Sequence, residues 1–574
     1  MAREVRNVLF IMFDQLRFDY LSCAGHEHLH TPNIDSLAAH GVRFSRAYVQ
    51  STICGASRMS FYTGRYVSSH GAAWNNFPLK VGEMTLGDHL RRHGMRSWLI
   101  GKTHMKADEE GMERLGIPRD SIIGARVSEC GFDVHTRDDG LWAEGADGFY
   151  DTRRSPYNEY LNAQGYTDNN PWANNANAGV DEDGNIASGW LMKNAGLAAN
   201  VAEQDSETTW LTSQAIEFLQ GADAEEPWLC HLSYIKPHWP YIVPAPYNDI
   251  YGGEHIQAAI RDVRERQNPH PVFAQFMDGR IGSAFARDEV RDAVVPAYMG
   301  LIKQCDDQMG RLFAYLEKTG RMEDTMIVIT SDHGDYLGDH WLGEKELFHD
   351  PSVRIPLIVY DPRKAADAAR GTVCDALVES IDLAPTIMEA IGAPLPMHIL
   401  EGRSLTPFLH GEEPAEWRGF AISEYDYSAT PIADRLGLAP RDARMFMVVT
   451  ERWKMIHSEG GFRPMLFDLE TDPREFDDLG DSKDHWKIIE EMYGHLFAWA
   501  RRCSQRTTVS DDAIMSMRKG GSQNKGIVLG IYDESDIEPR LLAKYRGRAS
   551  MPPGEDAPEG LTRPDIGRPA GRPF

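Results

Sequence analysis

The stretch NVLFIMFD, residues 7–14, is an unbroken apolar run that stops at a carboxylate. That is the pattern of a strand buried on both faces of a parallel sheet. Ligands of open α/β sheets bind beyond the carboxyl ends of such strands, so position alone makes Asp14 a candidate functional residue. A helix is predicted over Ile34–His40, stopped by Gly41, with a strand over Val42–Tyr48. The arrangement repeats as an amphipathic helix over Leu86–His93, a stop at Gly94 and a strand over Arg96–Ile100. TMIVITS and RIPLIVY give two more apolar strands, and a long helical spacing from Val294 to Leu316 includes Cys305 as a core position. Strands alternating with helices predict a doubly wound α/β sheet.

Residues 107–204 lose this regularity and are rich in Asn, Asp and Gly, which predicts an irregular, lid-like segment. Beyond about residue 415 short alternating strands (GFAISEY, MFMVVTERWKMIHS, MLFDLETDP) precede a helix in KIIEEMYGHLFAWARRC. A smaller antiparallel domain is expected there. The chain thus divides into a catalytic α/β domain over 1–414, a small domain over 415–503 and a tail over 504–574. The tail, rich in Pro, Gly and Arg, reads as an extended arm on a neighbouring subunit, hence an expected homo-oligomer.

At 574 residues, 42% of them hydrophobic, the chain can bury a large core. A formal net charge of -26 argues against nucleic acid or an anionic membrane as partner. An anionic substrate must therefore be held by local cations. Seven scattered cysteines, an odd number without metal-type spacing, fit reduced thiols, and the N-terminal apolar run is too short for a span or a signal peptide. A cytoplasmic enzyme is expected.

Cys54 stands in STICGASRMSFYTGRY, a polar, small-residue stretch with Arg58 four positions on. The thiol has three readings: a small buried hydrophobe, a nucleophile that needs a base, or the precursor of a modified residue. Asp14, Asp332 and His333 stand at strand ends. Separately they could be caps or turn residues; together with Cys54, which follows a third strand, they favour a shared metal site. Carboxylates suit hard cations, and an imidazole widens the choice from calcium toward manganese.

CGASR followed by TGRY resembles the sulfatase signature, in which the cysteine becomes formylglycine. GKTH (101–104), KPHWPY (236–241), SDHGDYLGDH (331–340), Lys345 and LFDLETDPRE (466–475) match further family blocks in order, over most of residues 7–480. The resemblance implies an alkaline-phosphatase-like mixed sheet with helices on both faces, plus a smaller C-terminal antiparallel sheet with a helix. It implies one divalent ion, Ca2+ or Mn2+, on Asp14, Gln15, Asp332, His333 and the residue made from Cys54. A formylglycine-generating enzyme is the implied maturation partner. The implied reaction is hydrolysis of a small-molecule sulfate monoester through a covalent sulfo-enzyme intermediate. Arg58 would hold the nucleophile and the charge of the metal site. Lys102 and Lys345 would neutralise the transferred group, and His104 or His238 would serve the leaving oxygen.

The pairs Asp14-Gln15 and Asp332-His333 depart from the commoner Asp-Asp and Asp-Asn. They resemble the branch of choline sulfatases and phosphonate monoester hydrolases, in which Asn75 matches a substrate contact. Gln15 then reads as a ligand through its amide oxygen or as a neighbouring donor. Phosphonate monoester hydrolases tend to carry hydroxyl-bearing residues at the positions of Lys102 and His104, so GKTH favours sulfate esters; the alternative is a phosphonate monoester hydrolase or phosphodiesterase with promiscuous sulfatase activity. Trp74, Phe77, Trp239 and Tyr241 are candidate walls for an aryl or quaternary-ammonium group. His340 reads as structural.

Overall fold

Strand β1 (Asn7–Asp14) is buried along its whole length in a computed structural model that describes residues 5–140, 155–168, 170–223, 225–502, 507–518 and 532–536. Its alternate residues serve opposite layers, as the two-residue period of a strand requires. Val8, Phe10 and Met12 pack with Met59 and Tyr62 of the helix Cys54–Thr63. Leu9, Ile11 and Phe13 pack with Val294, Tyr298 and Cys305 of the helix Asp288–Lys318. Helices on both faces are the expected double winding.

Further strands follow as β2 (Val42–Tyr48), β3 (Arg96–Gly101), β4 (Asp133–Arg137), β5 (Ala178–Val180), β6 (Ile186–Ser188), β7 (Trp228–Pro237), β8 (Thr325–Ser331), β9 (Arg354–Tyr360) and β10 (Thr372–Glu379). Eight of them form one sheet in the order β10-β2-β9-β8-β1-β7-β3-β4. Only β9 runs antiparallel to its neighbours, which makes the sheet mixed. Register aligns the functional strand ends: Phe13 faces Ser331, Asp14 faces Pro237 and Gly101 faces Ser233. The residues that follow these strands are therefore delivered to one edge.

Two edge strands escape the sequence reading. β4 lies inside the segment taken as irregular, and β10 lies between the last apolar run and the C-terminal sheet. Both are partly exposed along their length, so neither shows the continuous apolar run of an interior strand. The same segment holds short helices over Glu109–Leu115 and Ile122–Ser128, whose caps Asp108 and Ser121 accept from the third helical N–H. Gly94 takes the left-handed φ of +73° expected of a helix stop. Gly41 does not: its φ is -124°, and a Cβ there would lie 2.4 Å from the Val359 carbonyl oxygen. Close approach of β9 is what requires the glycine.

A four-stranded antiparallel sheet follows, β11 (Ala421–Asp426), β12 (Arg444–Val449), β13 (Trp453–Ser458) and β14 (Met465–Asp468), with the helix Trp486–Ala500. It belongs with the large sheet to one compact unit ending at Gln505. Residues 506–574 form a second unit, with a helix over Asp511–Arg518. Most of the expected arm, and Cys503, lie outside the described residues. Among the described residues six cysteines are free thiols, and no helix is long and apolar enough to cross a membrane.

Glu424 of β11 is buried, and both its oxygens accept from the Ser68 N–H, at 3.0 and 3.2 Å. Burial pushes its carboxyl up to about 7 from 4.5, against the Ser68 N–H and Arg502, which favour the ion. A carboxyl whose folded value is raised contributes stability below its unfolded value and loses it as pH rises through the folded one. At about 1.4 kcal/mol per unit the loss between pH 4.5 and 7 is about 3 kcal/mol. Glu424→Gln is therefore expected to raise the thermal unfolding midpoint near pH 8 and to leave it nearly unchanged near pH 5. Equal shifts at both would refute the assignment.

Candidate active site

The helix Cys54–Thr63 begins beside the ends of β1 and β8, and its first residue is fully buried. Cys54 Sγ lies 3.0 Å from His333 Nε2, 3.3 Å from Lys345 Nζ and 3.8 Å from Asp14 Oδ1. Ligand atoms of Asp14, Cys54, Asp332 and His333 lie within 4.8 Å of one another. His333 Nδ1 is 2.9 Å from the Gly334 carbonyl oxygen, which assigns the proton to Nδ1 and turns the Nε2 lone pair into the cluster. Two buried carboxylates and an imidazole lone pair converging on one point suit a divalent ion.

Three cations surround the cluster. Arg58, one turn beyond Cys54 on the same helix, donates through Nε to Asp332 Oδ2 at 2.8 Å and pairs with Asp14 at 3.4 Å. Its Nη1 donates to the Lys102 carbonyl at 3.0 Å and to Ser233 Oγ at 2.7 Å. Lys102 Nζ donates to Asp14 Oδ2. Lys345 Nζ also reaches Gln15 Oε1 at 3.3 Å and His238 Nε2 at 3.1 Å. Burial pushes the Asp14 carboxyl up, yet the permanent cations Lys102 and Arg58 hold it well below the usual range. Burial and Asp14 likewise raise the Cys54 thiol, and the Lys345 and Lys102 ammoniums bring it below its ordinary value.

His238 Nδ1 is 2.7 Å from the Trp239 carbonyl, so Nε2 is its site-facing atom. Burial, then Lys345, hold this imidazole well below its ordinary pKa. His104 is lowered by burial and then Lys102; Asp139 pins its loop, accepting from the backbone N–H of Thr103 at 3.1 Å and of His104 at 2.8 Å. Of the two histidines, His238 touches Lys345 directly.

Gln15 Nε2 donates to Asp335 Oδ2 at 2.5 Å and to Tyr241 Oη at 3.2 Å, and its oxygen is the atom that meets Lys345. Tyr241 is thus a buried residue whose hydroxyl is engaged by Asp335 and Gln15. Asn75 Oδ1 accepts from the Gly55 N–H at 2.8 Å, which ties its loop to the start of the helix. Trp74 packs near Tyr425, Phe77 is 39% exposed, and Trp239 lies against His238 with ring centroids 4.4 Å apart and planes tilted by 37°. Asp335, Ser233 and Asp139 were missed by sequence reasoning. Asp335 stood inside the quoted SDHGD, and asking what accepts from the Gln15 NH2 would have led to it.

Glu265, His340 and His349 form a second cluster with metal-type side chains. The two imidazoles are stacked 3.8 Å apart and 3° from parallel, so their in-plane lone pairs cannot converge on one ion. His340 instead bonds Glu265 at 2.6 Å, a structural arrangement.

The mixed sheet has the architecture of the alkaline phosphatase superfamily, and the family match makes the chain a hydrolase of that superfamily. The chain belongs to the sulfatase family: the Sulfatase family model matches residues 6–393, and the model for N-sulphoglucosamine sulphohydrolase, C-terminal, matches residues 338–502. It is 31% identical over 522 residues to the multifunctional alkaline phosphatase superfamily protein PehA of Trinickia caryophylli, covering 88% of this chain and 96% of that one. It is 26% identical over 498 residues to an arylsulfatase of Clostridium perfringens, covering 85% and 92%. The structure of a phosphonate monoester hydrolase from Silicibacter pomeroyi is similar with a TM-score of 0.74 at 28% identity, covering 87% of this chain and 96% of that one.

Proposed function

We propose that this protein hydrolyses sulfate monoesters at the centre built around Cys54. The observation that carries the reading is Lys345, whose ammonium joins Cys54 Sγ, Gln15 Oε1 and His238 Nε2 in one buried contact set. When present, the formylglycine that the family derives from this cysteine supplies an oxygen nucleophile, and a divalent ion on Asp14, Gln15, Asp332 and His333 supplies positive charge to the ester oxygens.

The chain's own residues do the rest. Arg58 locks both carboxylates and the start of the helix, so the ligands are oriented before substrate arrives. Lys345 and Lys102 place positive charge where negative charge develops on the transferred group, and in a water-poor site such charges act with little screening. Burial, and then the Lys345 ammonium 3.1 Å from Nε2, disfavour a proton on His238. A bound anionic ester lowers that penalty, so this imidazole gains a proton as substrate arrives and can pass it to the leaving oxygen. Localisation is proposed to be cytoplasmic.

A second reading, hydrolysis of phosphonate monoesters or phosphodiesters, is favoured by the likeness to PehA and to the Silicibacter pomeroyi enzyme. Both substrates are monoanions of tetrahedral centres, so the ring of cations alone does not rank them. Initial rates on 4-nitrophenyl sulfate and a 4-nitrophenyl phosphonate monoester, with and without added Ca2+ or Mn2+, do. The expected result is a higher kcat/KM on the sulfate, increased by one of the ions. A phosphonate preference would reverse the order of the two readings.

A further inference from the structure

We propose that Asp335 and Tyr241 are positioning residues that set the direction of the Gln15 amide, holding its carbonyl oxygen and not its NH2 toward the metal-binding cluster. The inference rests on the reading of that cluster as a divalent-ion site with Gln15 among its ligands.

The backbone of Gln15 is fixed first. It lies in the left-handed region at φ 68°, its N–H donates to Asp332 Oδ1 at 3.1 Å, and its carbonyl accepts from Tyr298 Oη at 2.7 Å. A non-glycine residue in that region is held by its surroundings. The side chain then meets two acceptors. Asp335 Oδ1 accepts from the Leu337 N–H at 2.9 Å, and Oδ2 accepts from Tyr241 Oη at 2.6 Å as well as from Gln15. Tyr241 gives its one proton to Asp335, so its oxygen is an acceptor for the Gln15 NH2 at 3.2 Å. Turning the amide over would set its carbonyl oxygen against a carboxylate and a phenol oxygen. Gln15 and Asp335 have no exposure and Tyr241 is 3% exposed, so water cannot relieve that opposition. The amide oxygen is thereby left 3.3 Å from Lys345 Nζ, on the side of the cluster.

Asp335→Asn tests the direction without changing the shape. The Leu337 N–H cannot turn, so the asparagine oxygen stays with it and the new NH2 faces the Gln15 NH2. The Gln15 amide is expected to flip and present hydrogens to the ion. Mn2+ affinity of the metal-stripped full-length protein, measured by equilibrium dialysis, is expected to weaken roughly 10- to 100-fold, the usual effect of losing a partner behind a ligand. In Q15E/D335N the glutamate accepts from the asparagine with one oxygen and turns the other to the cluster, so most of the lost affinity is expected to return. A carboxylate at position 15 also adds charge to the site. A merely structural role for Asp335 therefore predicts that Q15E changes affinity by the same factor in the wild-type and D335N backgrounds, whereas the positioning role predicts a gain confined to D335N. If D335N does not fold, Tyr241→Phe, which removes one acceptor, is expected to weaken Mn2+ binding to a smaller extent. Wild-type protein that fails to bind Mn2+ would overturn the metal-site reading itself. Wild-type binding with unchanged affinity in D335N, in Gln15→Ala, or in Y241F should D335N not fold, would overturn the positioning role alone.

Discussion

Cys54→Ala is expected to lower kcat/KM on 4-nitrophenyl sulfate by more than about 10^4-fold, the scale on which removal of an enzyme's nucleophile acts. Among the described residues Cys54 alone places a nucleophilic side chain between His333 and Lys345. The nearest hydroxyl on its helix, Ser57, is already engaged in a 2.6 Å bond to the Asp332 carbonyl. Alanine removes one small buried atom and leaves Arg58 on both carboxylates, so the fold and its unfolding midpoint are expected to stay close to wild type. Loss of rate with an unchanged midpoint separates a chemical role from a packing role. A variant that keeps its rate would end the assignment of Cys54 as the reacting position. The tryptic peptide Ala47–Arg58 of an active preparation is expected to carry an aldehyde in place of the thiol, read by mass spectrometry. An intact thiol in fully active protein would remove the formylglycine reading while leaving the metal cluster standing.

Interior strands were legible because a strand covered on both faces must be apolar throughout, as β1 and β8 are. β4 and β10 were not, because an edge strand is half solvated and its sequence resembles a loop. The same asymmetry holds in the site. Asp14, Asp332 and His333 end apolar runs, and Arg58 follows Cys54 by one helical turn, so local pattern marks all of them. The direction of the Gln15 amide depends on Asp335, 320 positions away in sequence, and the seat of Arg58 depends on Ser233, 175 away. No periodicity encodes such pairs. The hydroxyl partners of Tyr241 are hidden for a related reason: Trp239 and Tyr241 stand two apart in one irregular loop, where no repeat says which ring packs on His238 and which is bonded to Asp335.

Arg58→Ala is expected to cost the metal-free protein about 3–5 kcal/mol of stability, the penalty of stranding buried charge. The guanidinium has no exposure and bridges two carboxylates that have none. Without it, Asp14 and Asp332 face each other across the site, and the Lys102 carbonyl and Ser233 Oγ lose a partner. Two controls give the prediction a sign. Added Mn2+ supplies positive charge to the same carboxylates, so it is expected to stabilise the variant more than wild type. Acid acts through Asp14, whose folded pKa is held down in wild type by Lys102 and Arg58 against the upward push of burial. A depressed carboxyl contributes stability above its unfolded value and loses it as pH falls through the folded one. Removing Arg58 reduces that contribution, so the gap between variant and wild type is expected to be widest near pH 7 and to narrow toward about pH 4, where protonation begins to relieve the stranded charge. Urea midpoints of both metal-free proteins at these two pH values measure it. A gap that is constant with pH and indifferent to Mn2+ would mean that Arg58 contributes packing alone. In that case the electrostatic preorganisation of the site would have to be carried by Lys102 and Lys345.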